Sequence, residues 1–75
     1  MREEEKRANG ARETIRNLFH TENWLIGVGT IKLLSDRYIV RVMVNKITND
    51  IQKIMPVKVN DVPIVVDEVN DDRNS

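Results

Sequence analysis

The chain has no cysteine, one histidine, two prolines and three aromatic residues. Without cysteine it can form neither a disulfide nor a thiolate-ligated zinc site. That absence is compatible with a reducing compartment. Long hydrophobic runs are missing as well. No segment approaches the roughly 20 apolar residues that a membrane-spanning helix requires. The first residues, Met1-Arg2-Glu3-Glu4-Glu5-Lys6-Arg7, are charged and lack the apolar stretch of a signal peptide. A soluble, cytoplasmic protein is the expectation. Net charge is absent too: twelve basic residues balance twelve acidic ones. Residues 21–59 carry six basic against three acidic side chains, and residues 60–75 carry one against five. A dedicated nucleic-acid binder concentrates positive charge on one face, and this balance speaks against one.

A chain of 75 residues makes one domain, and at this size only roughly 60% of the unfolded surface is buried. Such a core supplies about 3–5 kcal/mol without a disulfide, a metal or a partner. Disulfide and thiolate zinc are excluded, so self-association is the expected source of further stability.

Hydrophobic periodicity divides the chain into six elements. Over residues 3–20, Ala8, Ala11, Ile15, Leu18 and Phe19 recur at helical spacing. Glu3, Glu4 and Glu5 suit the positive end of that helix. Gly10 costs about 1 kcal/mol relative to alanine in a helix interior. It separates a polar first part, with residues 1–8 expected to fray or to extend into solvent, from an amphipathic second part. Residues 24–34 and 37–45 read as two strands joined at Ser35-Asp36. In the second strand, Tyr38, Val40, Val42 and Val44 form the cleaner core face, and Arg37, Ile39, Arg41 and Met43 the other. Gly27 and Gly29 share one face of the first strand, and the bare strip they leave is expected to lie beneath the first helix. Residues 46–55 read as a short helix that ends before Pro56. Val57-Lys58-Val59 and residues 62–66 read as two short strands. Asn60-Asp61 between them is the turn, because Asn and Asp tolerate positive φ. Pro63 cannot donate to a ladder and belongs at an edge or a strand start.

The expected fold is therefore a single small α+β domain of order α-β-β-α-β-β. One mostly antiparallel sheet is packed on one face by the helices. The ordered core covers about residues 9–68, and residues 69–75 form a solvated acidic tail.

Few residues could carry chemistry. His20 and Glu22 could form an acid–base couple, but no nucleophile or pocket accompanies them, and a surface histidine at a helix C-terminus is the simpler reading. Gly27-Val28-Gly29 lacks the following helix and the Lys-Ser/Thr of a phosphate loop. Asp67, Glu68, Asp71 and Asp72 do not have the spacing of a calcium loop, and a solvated tail is the better reading of this acidic cluster. No catalytic residue, cofactor or metal site is assigned. The candidate interaction surface is Trp24, Ile39, Arg41 and Met43, because Ile39 and Met43 have no evident partner within the chain; Trp24 by default caps the core, and an interface is its alternative place. An alternative basic surface of Arg12, Arg16, Lys32 and Arg41 would suit weak nucleic-acid binding if all four shared a face.

The segments from Trp24 to Ile31 (Trp-Leu-Ile-Gly-Val-Gly-Thr-Ile), Ile39 to Val44 (Ile-Val-Arg-Val-Met-Val), Ile54-Met55-Pro56 and Val59 to Val66 (Val-Asn-Asp-Val-Pro-Ile-Val-Val) together resemble a small bacterial α/β module. That module occurs alone or ahead of trypsin-like serine peptidase domains. Met55 stands where leucine is usual, and Asn60-Asp61 where Asp-Gly or Asn-Gly is common. The resemblance spans about residues 8–68. It implies an accessory or interaction domain, and it supplies no catalytic residue, since the peptidase's Ser-His-Asp set belongs to a domain absent here. A non-catalytic, self-associating protein-interaction module is the expected function. Weak nucleic-acid binding and modulation of a separately encoded peptidase are the alternatives.

Overall fold

The first helix, α1, runs Glu3–Phe19 in a computed structural model that describes residues 3–69. It is regular from Glu3, and Ala8 is already buried. From Glu3 the polar first part is continuous helix, mostly exposed, and carries the Glu3–Arg7 ion pair at 3.1 Å; of the stretch 1–8, residues 1 and 2 lie outside the described residues. Ala8, Ala11, Ile15 and Phe19 form the buried stripe. Leu18 lies on its flank and is exposed. The two alanines leave room for the helix backbone to approach the sheet.

Strand β1 (Leu25–Lys32) pairs antiparallel with β2 (Tyr38–Val44). A short 3-10 turn over Leu34–Asp36 joins them, with Ser35 and Asp36 both at positive φ. Both strands are shorter than their apolar runs, because this turn consumes Leu33, Leu34 and Arg37. Helix α2 covers Asn49–Ile54. It starts later than the periodicity predicts, because Thr48 caps it: the Thr48 hydroxyl accepts from the Ile51 amide at 3.2 Å. Strands β3 (Lys58–Val59) and β4 (Val62–Glu68) form the second hairpin. Asn60 and Asp61 both adopt positive φ, as a two-residue primed turn requires.

The strand order is β1-β2-β4-β3. The β2–β4 pair is parallel, with Val40 opposite Ile64 and Val42 opposite Val66. Pro63 sits at the second position of β4, before this ladder begins, so its missing N–H removes no bond to β2. The connection from β2 to β4 carries α2 to the same face as α1. One cluster results, in which Val40, Val42 and Val44 meet Ala11, Ile15 and Phe19 from α1, and Ile51 and Met55 from α2. The three valines are 0% exposed. Among the described residues no helix is long and apolar enough to cross a membrane.

The glycines do not lie where the sequence places them. Directly opposed residues of an antiparallel pair share a face. Val28 and Thr30 oppose Val42 and Val40 on the helix side, whereas Gly27 and Gly29 oppose Met43 and Arg41 on the other. A Cβ at Gly27 would stand 3.3 Å from the Met43 methyl, and one at Gly29 would meet nothing within 4 Å. The close approach to a glycine occurs instead at Gly10 of α1. There a Cβ would stand 3.1 Å from the Asn60 side-chain amide in the β3–β4 turn.

Candidate interaction surface

Both helices cover one face of the sheet, and no described element covers the other. Alternation along β2 puts Ile39, Arg41 and Met43 on this open face. The ladder adds Gly27, Gly29 and Ile31 from β1, and Val65 and Asp67 from β4. Three of the four residues predicted for an interaction surface are thereby neighbours. Trp24 is not among them. Its ring packs against Phe19 at 5.4 Å between centroids, tilted by 50°, and it joins the edge of the helix-side core. The aromatic ring of Phe19 at the end of α1 captures it, because the connector between α1 and β1 is short.

Arg41 Nε donates to Asp67 Oδ2 at the centre of this face. The two side chains are 40% and 44% exposed. A pair so open to water is screened and contributes at most about 1 kcal/mol. Its larger effect is to cancel charge on a face that is otherwise apolar. Asp67 and Glu68 thus belong to β4 and not to a solvated tail. Glu68 Oε1 accepts from the Ile47 amide at 2.8 Å, tying the segment before α2 to the end of β4. Asp71 and Asp72, the rest of the predicted acidic cluster, lie outside the described residues.

The alternative basic surface does not come together. Arg12 and Arg16 are on α1, where both lie near Glu13, at 3.4 and 3.6 Å. Arg41 is on the opposite side of the sheet. Lys32 opposes Tyr38 on the helix side and pairs with Asp36 at 3.3 Å. Each of the four cations has an acidic partner. His20 is exposed at the end of α1, where its Nδ1–H donates to the Asn17 carbonyl at 3.0 Å in the corresponding tautomer. Among the described residues no cluster of His, Asp and Glu is placed to hold a metal ion.

One further concavity, of about 360 Å³, lies where the start of α1, the β1–β2 loop and the β3–β4 turn meet. Arg7, Arg37, Lys58, Glu4, Asp61 and Tyr38 contribute to it. The sequence reading missed it, since its walls come from three segments, residues 4–7, 33–39 and 58–63, that are far apart in sequence. Arg7 and Lys58 are matched by Glu3 and Asp61.

No protein-family model, no curated protein and no solved structure matches the chain.

Proposed function

We propose that this chain is a non-catalytic, cytoplasmic protein-interaction module that self-associates through the open face of its sheet and acts as an accessory or regulatory domain. One observation carries this reading. Ile31, Ile39, Met43 and Val65 stand together on a face that no described element covers. Apolar side chains grouped on an uncovered face and rimmed by polar ones mark a contact surface.

A second copy suits the face better than a partner of other chemistry. The Arg41–Asp67 pair is neutral, so two copies meet without net charge. A two-fold arrangement also offers each arginine the other copy's aspartate, since a symmetric contact is self-complementary. The small core supplies the energetic motive. Nucleic-acid binding has no such support, because its four cations are split between the two sides of the sheet. An accessory role towards a separately encoded peptidase rests on the resemblance alone.

Sedimentation from low to high micromolar concentration tests the proposal. The wild type should gain mass with concentration, and Met43→Glu should lower the mass reached. A wild type that stays monomeric throughout overturns the reading, and so does a Met43→Glu variant that associates unchanged.

A further inference from the structure

The two edges of the sheet are built differently. The β3 edge is two residues long, carries Lys58 and ends in a tight turn. Short length and an edge lysine are devices that keep strands from adding. Strand β1, the opposite edge, has eight residues and no proline, and its one charge, Lys32, stands at the very end. Its only irregularity is the shift between Leu25 and Gly27. From Gly27 to Lys32 the ladder is uninterrupted.

The direction of the unpaired groups follows from the ladder. The Leu33 N–H donates to the Arg37 carbonyl at 2.6 Å. Hydrogen-bonded pairs alternate in an antiparallel ladder. Gly27, Gly29 and Ile31 therefore bond inward to β2. The N–H and C=O groups of Val28, Thr30 and Lys32 point away from the sheet, where no described strand meets them.

We infer that β1 is a second contact, which pairs antiparallel with β1 of another copy about a two-fold axis at Thr30. This goes beyond the open-face contact and stands independently of it. In this register Thr30 exchanges both main-chain bonds with the second copy's Thr30. Val28 does the same with the second copy's Lys32 on either side. The pairing avoids the irregular start of β1. On the open face it sets Ile31 over the second copy's Gly29, where a Cβ would meet nothing within 4 Å. On the helix side it brings the threonines together, a favourable cross-strand pair. The two copies of Lys32 stand apart, whereas a parallel arrangement would place them side by side. With both contacts formed, the chain assembles as a dimer of dimers.

Thr30→Pro removes the central outward donor without touching a bond to β2, a position where edge proline is tolerated. Sedimentation should find that Thr30→Pro and Met43→Glu each stop at a dimer and that the double variant is monomeric. Concentration-dependent amide exchange on the wild type provides a test that needs no variant. The Val28 and Thr30 amides should slow by about tenfold or more between dilute and associated samples. Amides that stay unprotected in the associated protein overturn the edge pairing and leave the open-face contact standing. Protected amides with an unchanged Met43→Glu variant uphold the edge and overturn the face. A wild-type monomer at high concentration overturns both.

Discussion

Strand β2 shows the contrast between the two faces in seven residues. Val40, Val42 and Val44 are fully buried under the helices, while Ile39, Arg41 and Met43 alternate with them and are only half-buried. Isoleucine and methionine are no less apolar than valine. Side-chain hydrophobicity therefore does not decide which face becomes the core. The covered face is the one whose neighbours, Val28 and Thr30 on β1 and Ile64 and Val66 on β4, form a surface that the small residues of α1 can approach. The open face keeps two glycines and an ion pair.

The largest effect that would test this contrast is on the covered face. Ile15→Ala should destabilise by about 2–5 kcal/mol through the cavity it leaves. Against the few kcal/mol available to a domain of this size, that leaves much of the chain unfolded at ambient temperature, as thermal melts followed by circular dichroism would show. A melt within a few degrees of wild type would mean that α1 does not anchor the core. Next comes Gly29→Ala. A glycine beneath a helix would clash when given a side chain. On the open face, with negative φ and space above it, the substitution should stabilise by about 0.5–1 kcal/mol. Destabilisation by a similar amount in denaturant titrations would put the glycine strip back under α1.

A smaller effect belongs to the ion pair. A double-mutant cycle on Arg41→Ala and Asp67→Ala should give a coupling of about 0.2–1 kcal/mol, reduced by added salt. That value belongs to the dilute monomer, where both side chains are open to water; in the associated protein a larger coupling, less sensitive to salt, is expected, because the second copy covers the face. Smallest is Gly10→Ala. The gain of roughly 1 kcal/mol in helix propensity is offset in part because the Asn60 side chain must move a few tenths of an ångström. Since that amide lies at an exposed turn, a net gain of a few tenths of a kcal/mol is expected. A net loss would show that the β3–β4 turn is held firmly against α1.

Much of this architecture was legible in the residues. The stripe of Ala8, Ala11, Ile15 and Phe19 marks α1, and the valine alternation of β2 identifies its core side. Asn60-Asp61 marks a positive-φ turn, and it is one. The open face was legible only in part. Ile39, Arg41 and Met43 could be grouped because they alternate on one strand. Trp24 reads by default as a core anchor and otherwise as an interface residue; it packs on the core edge, and its partner there, Phe19, lies across a connector with no periodicity. Asp67 reads as tail until the pairing of β4 brings it beside Arg41.

What the sequence determined by itself is local: where helices and strands form, where the chain turns, and which residues of one strand share a face. These follow from backbone sterics and from the periods of side-chain direction, which act over a few residues. The tertiary structure alone decided that β4 lies parallel beside β2, that α2 returns to the face of α1, and that Gly27 and Gly29 look outward. Alternation divides a strand into two faces but does not say which one the rest of the chain will cover. That choice is made by contacts between residues far apart in sequence, and no local pattern encodes it.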